Sequence, residues 1–518
     1  MGCKKYRIGV FFDGTGNNKF IEANRKAGGE TNIAKLYELY DELRGEACGT
    51  QKCYSDKVYI EGIGTHTEER NSERVKDRHA WDEKLEKGAG GGGGERIDEA
   101  LDKVDALLKS HPYGKGEPNK FCERVIDVFG FSRGAAQARD FINTFYKRNK
   151  RRKGYNFGFI GIYDTVGSFG SSGDNINMKP LDPSRYNESD GVSFDNHLTT
   201  IDRSTQKHLG NFTDHKEASA FARQEKAKLD DTWKVDVIYV GGYGRYSAYT
   251  VTAARKAFTE YNYDLAPASA QRIFHIVSND EVRKNFPLSS LLSIGGKHEE
   301  AGFPGVHADV GGGYDKEVTE PHSYTPAKIY YTKSEALAGA KLMEANLSKG
   351  WKVRVIDASS ESMGKIFGLR CTLQRNVTNS ISRVTLHHMY NEGIKAEVPF
   401  KTMPSDEAHK VSPEMMAYYN LFNQNRSIFI KRNSHDVKKF GELTKDVDWE
   451  KIDGYRHHSA VDSKELSTHY DGDTSISHIF TKDSPDMIGG NNARYVNGKV
   501  EREIYENNTS NAIVSKDV

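Results

Sequence analysis

The segment VIDVFGFSRGAAQARDF, which runs from Val125 to Phe141, most constrains what this chain can fold into. Its apolar first part predicts a buried strand, and the part after the glycines has the spacing of an amphipathic helix. Between them lies Gly-x-Ser-x-Gly, formed by Gly130, Ser132 and Gly134. In this pattern a serine is held out on a sharp turn, because small residues on either side let the two backbones pass. Ser132 is therefore a candidate nucleophile, and a tight turn that contains a serine is the alternative.

Strands alternate with helices along the first part of the chain. Segments such as YRIGVFF, FGFIGIYD and QRIFHIV predict buried strands, and helical patterns follow several of them. This alternation predicts an α/β fold, an α/β-hydrolase-like and mostly parallel sheet. We expect a catalytic domain over residues 1–330 with a large insertion at about 170–265. Residues 331–518 are expected to form a C-terminal region that docks on a membrane or packs on the catalytic domain.

Composition excludes several other classes of protein. The net charge of +1 argues against a dedicated nucleic-acid binder, which usually carries a strong basic excess. The N-terminal MGCKKYRIGVFF lacks the apolar region of a secretory signal peptide, so none is expected. No apolar run approaches the ~20 residues that span a bilayer. Cys48 and Cys53 flank a short loop and are candidates for a disulfide, and no Cys/His cluster has zinc spacing.

A serine nucleophile needs a base, and the base needs an orienting acid. In α/β-hydrolases these follow the serine in the order acid, then histidine. Asp164 ends the next buried strand, FGFIGIYD, which would place its carboxylate at the same sheet edge as Ser132. Asp164 is therefore the candidate acid, and an N-cap to the following turn is the alternative.

The candidate base is His307, which lies in the glycine-flanked loop FPGVHADVGGGYD after a later strand–helix unit. Small neighbours allow a loop histidine to reach the active-site edge. Asp309 either orients this loop or replaces Asp164 as the acid, although a separation of two residues is short for reaching the imidazole.

Other histidines compete for the same role, since the chain has 18 of them. His275 lies in the middle of the strand IFHIV and is expected to be a hydrogen-bonded core residue. His457 and His458 lie in the polar segment YRHHSAVD and are expected to be solvated. The pattern therefore favours His307.

An oxyanion hole requires two donors. The backbone N–H of Arg133, directly after the serine, is the first candidate. The second would come from the early loop FFDGTGN, through the N–H of Asp13 or Gly14. A glycine turn stiffened by Asp13 is the alternative. Two rival functions remain open at this point: a phosphoryl-transfer enzyme with Asp13 as nucleophile or metal ligand, and a non-catalytic binding protein on a hydrolase scaffold.

Four longer motifs resemble one family. GVFFDGTGNN, GFSRGAAQAR, YDTVGS and FPGVHADVGGGY, which span residues 9–314 in this order, resemble the signature blocks of bacterial type VI secretion lipase effectors, and specifically of their first subfamily. The resemblance implies an antibacterial phospholipase of A1 or A2 type that hydrolyses acyl esters of membrane glycerophospholipids. It also assigns the nucleophile to Ser132, the acid to Asp164 and the base to His307. Chemistry of this kind needs no metal, and no cofactor is expected.

The resemblance further implies partners and a route. The expected partners are membrane phospholipids, a spike delivery protein of the VgrG type and a cognate immunity protein, with no nucleic acid. The protein would be cytoplasmic in the producing bacterium and would be secreted without a signal peptide into the periplasm of the target cell.

Overall fold

A computed structural model gives the fold of the protein. It describes residues 4–22, 29–65, 93–117, 120–149, 153–167, 179–180, 201–229, 233–241, 248–256, 261–281, 283, 286–292, 294–324, 329–346, 352–359, 364–431, 455, 457, 495–496, 499–500, 502 and 504–514.

The described residues form nineteen strands and ten α-helices. The strands are β1 (Lys4–Phe12), β2 (Arg44–Cys48), β3 (Gln51–Ile60), β4 (Phe121–Phe131), β5 (Asn156–Tyr163), β6 (Lys179–Pro180), β7 (Ile201–Phe212), β8 (Trp233–Gly241), β9 (Ala248–Lys256), β10 (Arg272–Ser278), β11 (Leu288–Ser289), β12 (Glu299–Phe303), β13 (Glu317–Tyr324), β14 (Lys352–Asp357), β15 (Phe367–Thr378), β16 (Ile430–Lys431), β17 (Tyr495–Val496), β18 (Lys499–Val500) and β19 (Ile504–Glu506). The helices are α1 (Lys19–Glu22), α2 (Asn32–Leu39), α3 (Gly93–Ser110), α4 (Arg133–Arg148), α5 (His215–Ala227), α6 (His307–Gly311), α7 (Lys333–Asn346), α8 (Ser380–Lys395), α9 (Met416–Gln424) and α10 (Arg426–Phe429). Short 3₁₀ helices cover Pro267–Ser269, Pro413–Met415 and Thr509–Asn511.

Eight strands form the central sheet, in the order β16-β12-β10-β5-β4-β1-β3-β2. The strands from β12 to β3 run parallel to their neighbours, and β16 and β2 pair antiparallel at the two edges. Parallel strands covered on both faces are apolar along most of their length, as β4 and β5 are. The predicted α/β fold with a mostly parallel sheet is confirmed. The carboxyl ends of six parallel strands therefore share one edge, where such sheets bind their ligands.

Helices cover both faces of this sheet. On one face, Leu101 of α3 and Phe141 of α4 are buried in a core with the inward side chains of β1 and β4. On the other, Leu36 of α2 and Met389 of α8 lie in a second core. Each such buried side chain contributes about 1.5–3 kcal/mol relative to an exposed one, so both cores stabilise the sheet. Within the described ranges, no helix is long and apolar enough to cross a membrane.

The predicted insertion holds a small folded unit between β5 and β10. Strands β7, β9 and β8 form an antiparallel sheet in that order. Helix α5 packs on it through Ala218 and Ala222, which lie in one cluster with Val251. The segment therefore branches from two strands that are neighbours in the central sheet.

Elements from both sides of the expected boundary at 330 pack together. Strand β13 pairs with β15, so one small sheet spans that boundary. Strand β16 extends the central sheet, and β19 pairs with β11 and β6. Asn507, in the polar stretch after β19, is 2% exposed and donates to the carbonyl of Leu265.

The hairpin of β2 and β3 carries a disulfide. The bond joins Cys48 and Cys53, which are five positions apart, and the predicted pairing is confirmed. A cross-link between residues so close in sequence removes little freedom from the unfolded chain, so its main effect is local, on the hairpin end.

Candidate active site

Ser132 lies on a strained turn between β4 and α4. Its backbone has φ 60° and ψ −129°, a conformation that residues with a Cβ rarely adopt. The turn is packed too closely for larger neighbours: a Cβ on Gly130 would lie 2.6 Å from the Cα of Ala135, and one on Gly134 would lie 2.4 Å from the carbonyl oxygen of Asp13. The two glycines therefore provide the clearance that the sequence pattern predicted.

The turn is tied to the end of the neighbouring strand. The amide of Ser132 donates to the carbonyl of Tyr163 at 3.1 Å, and the amide of Val166 donates to the carbonyl of Ser132 at 3.2 Å. Asp164 lies between these two residues, so the serine turn and the predicted acid occupy one edge of the sheet.

The structure brings His307 and Asp164 together, as the sequence predicted. Nδ1 of His307 lies 2.6 Å from Oδ2 of Asp164. The imidazole is 5% exposed and packs between Phe131 and Phe286, at ring-centre distances of 4.6 and 4.8 Å. Its Nε2 is buried and has no hydrogen-bond partner among the described residues. Because Asp164 binds Nδ1, Nε2 is the nitrogen that can accept a proton.

Asp164 is buried and held on every side. Its carboxylate accepts from the amide and the hydroxyl of Ser278, at 2.9 and 3.0 Å, in addition to His307. The guanidinium of Arg502 binds it with both terminal nitrogens, at 2.7 and 2.8 Å. Burial would raise the pKa of this carboxyl, but Arg502 and His307 outweigh burial and hold the pKa well below its ordinary value. These contacts favour the role of Asp164 as the acid over the alternative of an N-cap, because its carboxylate binds His307 and Arg502. Sequence reasoning missed both Ser278 and Arg502.

Asp309 orients the loop of His307 and does not replace Asp164. Its carboxylate accepts from the amide of Val306 at 2.9 Å and lies 2.6 Å from Nδ1 of His457. The ring of His457 stacks on Tyr314 at 3.8 Å and is 1% exposed. The expectation that His457 is solvated was wrong, because a buried carboxylate and an aromatic ring enclose it. His458 lies outside the described residues.

His275 is the core residue that the sequence predicted. Its side chain is fully buried, and Nδ1 lies 3.0 Å from a carboxylate oxygen of Glu300. Nε2 accepts from the amide of Thr165 at 3.2 Å. Both ring nitrogens are thus engaged, which leaves this histidine no role as a general base.

The loop after β1 corrects the predicted oxyanion donors. The amide of Asp13 donates to the carbonyl of Ile60 at 3.0 Å, and the amide of Gly14 donates to Oδ1 of Asp13 at 2.7 Å. Both predicted donors are therefore engaged by the protein itself. Of the five amides from 13 to 17, only that of Thr15 has no acceptor within the described part of the chain, where its buried hydroxyl has no partner either. Arg133 is the first residue of α4, where helix amides face outward from the helix end.

The side chain of Asp13 is also held in place. Its carboxylate accepts from the hydroxyls of Thr31 and Tyr59, at 2.7 and 2.5 Å, besides the amide of Gly14. These contacts match the alternative of a turn stiffened by Asp13 and weigh against a nucleophilic carboxylate. Among the described residues, no group of three or more His, Cys, Asp or Glu side chains is arranged to hold a metal ion.

A serine on a strained strand-to-helix turn, beside an aspartate–histidine pair at the carboxyl edge of a mostly parallel sheet, is the arrangement typical of α/β-hydrolases. Comparison with known proteins then gives the family. One protein-family model matches residues 6–147 and 140–329 of the chain. It describes the catalytic domain of Tle1-like phospholipase effectors of the type VI secretion system (T6SS). The protein belongs to this Tle1-like family of phospholipase effectors, which confirms the resemblance drawn from the four motifs.

Two solved structures are similar to this chain. One is a Tle1 effector bound to the VgrG spike of the type VI secretion system, with a TM-score of 0.48, 20% identity, and coverage of 89% of this chain and 85% of that chain. The other is an uncharacterized protein from Pseudomonas aeruginosa, with a TM-score of 0.35, 15% identity, and coverage of 85% of this chain and 52% of that one. No curated protein matches the chain significantly.

Proposed function

We propose that this phospholipase effector is a serine esterase that hydrolyses acyl esters of membrane glycerophospholipids through Ser132, His307 and Asp164. The observation that carries the proposal is the 2.6 Å contact between His307 and Asp164 at the sheet edge that also holds the strained turn of Ser132. Family membership supports the substrate class, and the arrangement of these side chains supports the mechanism.

In the proposed reaction, Nε2 of His307 takes the hydroxyl proton of Ser132 as the serine oxygen attacks the ester carbonyl. The resulting imidazolium is stabilised by the carboxylate of Asp164, which also keeps Nδ1 protonated in the resting state. The imidazolium then gives its proton to the leaving alcohol, and an acyl-enzyme remains. Water, deprotonated by His307, attacks the acyl-enzyme and releases the fatty acid, and the proton returns to Ser132.

The negative charge that develops on the carbonyl oxygen needs two donors. We assign one to the amide of Arg133, at the N-terminus of α4, where the helix dipole favours negative charge. For the other we assign Thr15, because the amides of Asp13 and Gly14 are engaged elsewhere. Loss of one such donor typically lowers kcat by about 10²–10³-fold. Thr15→Val and Thr15→Ser separate the hydroxyl of Thr15 from its amide, since the serine variant keeps both donors.

The direct test is Ser132→Ala, assayed with defined phospholipids. We expect hydrolysis to fall by several orders of magnitude, with an unchanged circular dichroism spectrum. A fluorophosphonate probe should label the parent protein and not this variant. Asp13→Asn is the matched comparison. A phosphoryl-transfer enzyme that used Asp13 would lose its activity in Asp13→Asn and keep it in Ser132→Ala. Full activity in Ser132→Ala would refute the assignment of the nucleophile.

We also propose an antibacterial role, with delivery by a VgrG-type spike into the periplasm of a target cell and neutralisation by a cognate immunity protein in the producer. The description of the family as type VI secretion effectors supports the antibacterial role and the delivery route.

Two further experiments complete the proposal. Phospholipids labelled in one acyl chain distinguish A1 from A2 specificity. Expression with and without an export signal in a test bacterium would test the compartment, because periplasmic toxicity requires export.

A further inference from the structure

Arg502 enters the candidate site from the far end of the chain. It lies between β18 and β19, 338 residues after Asp164. Strand β19 docks this segment through its pairing with β11 and β6. Beyond the strand, the side chain of Asn507 accepts from the amide of Leu265 at 2.8 Å. The residues that follow Arg502 in sequence are thus fixed to the catalytic domain.

The guanidinium of Arg502 links the acid to the residues that surround the base. Besides its two bonds to Asp164, it donates to the hydroxyl of Ser278 at 2.9 Å, and its Nε donates to the carbonyl of Phe286 at 2.8 Å. Phe286 in turn packs on the ring of His307. The side chain of Arg502 is 7% exposed, so these bonds are shielded from water. A planar guanidinium is suited to this role, because its fixed fork matches both oxygens of a carboxylate.

We propose that Arg502 is a positioning residue of the active site, which fixes the orientation and the charge of Asp164 and so makes catalysis depend on the docking of Arg502 and residues 504–514. The inference rests on the proposed function, because it assigns Asp164 to the triad. It adds that a domain ending near residue 330 lacks a part of its own active site.

The charge balance around His307 gives this role a measurable consequence. Two ion pairs lie near the imidazole of His307. Arg502 neutralises Asp164, and Arg283 neutralises Glu281. Glu281 also accepts from the amide of His307 at 3.3 Å. Each carboxylate therefore has its own guanidinium. Without Arg502, the carboxylate of Asp164 would act on His307 with its charge unbalanced, and it would stabilise the protonated imidazole in the resting enzyme.

The test compares Arg502→Met with Arg502→Lys in the full-length protein. In the methionine variant we expect kcat/KM to fall about 10²-fold, the size of effect that follows from slight misplacement of catalytic groups. In the same variant, the fall of kcat/KM on the acidic side of its pH profile, the acid limb, should move to higher pH. The lysine variant keeps the charge and loses the fork, so we expect a smaller loss and an acid limb at the parent position.

A second readout does not require turnover. The pKa of His307, followed by NMR on ¹⁵N-histidine-labelled protein, should rise in Arg502→Met and stay unchanged in Arg502→Lys. Failure of the parent protein to hydrolyse any ester would count against the proposed function, while this titration would still report on Arg502.

The matched control is Ser510→Ala, because Ser510 is an exposed residue of the same stretch whose hydroxyl bonds to Asn508 and not to Asp164. It should keep the acid limb of the parent protein. An unchanged limb and an unchanged His307 titration in Arg502→Met, with activity lost only in proportion to the folded fraction, would overturn the inference. An identical limb shift in Ser510→Ala would overturn it as well, because the effect would then not belong to Arg502.

Discussion

Nδ1 of His307 and Oδ2 of Asp164 lie 2.6 Å apart although 143 residues separate them along the chain. Burial lowers the pKa of His307 below its ordinary value, against the opposing effect of the bond to Asp164. The folded imidazole is therefore neutral, and able to accept a proton, down to a lower pH than a free histidine. We expect the acid limb of kcat/KM to lie below pH ~6.5, the ordinary value for histidine. A soluble short-chain ester assayed from pH 4 to 8 measures it, and a limb above that value would contradict His307 as the base.

Ser132 offers a test of backbone strain that is separate from catalysis. A residue held in a sparsely populated backbone region costs about 1–3 kcal/mol. Glycine adopts the conformation of Ser132 without that cost, although it loses about 0.5–1 kcal/mol through the greater freedom of the unfolded chain. We expect Ser132→Gly to have a free energy of unfolding about 1 kcal/mol greater than Ser132→Ala. Urea unfolding compares the two variants, and greater stability of the alanine variant would contradict strain at the turn.

The contact between α4 and β1 predicts a steric effect at Gly134. A Cβ there would lie 2.4 and 2.5 Å from the carbonyl oxygens of Asp13 and Phe12, which are backbone atoms and cannot move aside independently. We expect Gly134→Ala to lower the free energy of unfolding by about 1–3 kcal/mol and to displace the Thr15 loop, with loss of activity. Gly295→Ala is the control, because a Cβ at Gly295 meets no atom within 4 Å. Equal stability of the two variants would contradict the close packing.

The parts of the site that the sequence predicted are those with local patterns. Ser132 lies in a turn that needs glycine on both sides, and Asp164 ends a recognisable strand. His307 required one more inference, that a glycine-flanked loop reaches the same edge. In each case a parallel sheet converts local position into spatial proximity, because the carboxyl ends of its strands meet at one edge.

The residues that the sequence did not predict depend on contacts between distant segments. Arg502 and His457 lie in polar stretches without periodicity, and their partners, Asp164 and Asp309, are 338 and 148 residues away. The amides of Asp13 and Gly14, the two candidates for the second oxyanion donor, have acceptors within the protein, because the pairing of Asp13 with Ile60 extends the strand contact past its predicted end. Such details follow from register, which hydrophobic patterns leave open by a residue or two.

His388 predicts a pH dependence of stability that does not involve catalysis. Its ring, 2% exposed, lies on α8 and stacks on Tyr419, with Phe422 at 4.1 Å. Burial, with the nearby positive charge of Arg426 as a further cause, lowers the pKa of His388 to about 3. In the unfolded chain the ordinary value is about 6.5, so the unfolded state binds the proton first as the pH falls. The free energy of unfolding should therefore decrease as the pH drops below 6.5, by at most about 1.4 kcal/mol per pH unit from this residue, until the folded form is protonated as well.

Substitution of His388 by Phe isolates this contribution. Phenylalanine keeps an aromatic ring of similar size in the cluster and cannot take up a proton. Urea unfolding at pH 7, 6, 5 and 4.5 should show a flatter decline in the free energy of unfolding for His388→Phe than for the parent protein, with the two curves diverging below pH 6.5. The control is His208→Gln, since the His208 side chain is exposed. Parallel curves for His388→Phe and the parent protein would mean that the folded state accommodates the charged ring, contrary to its apolar surroundings.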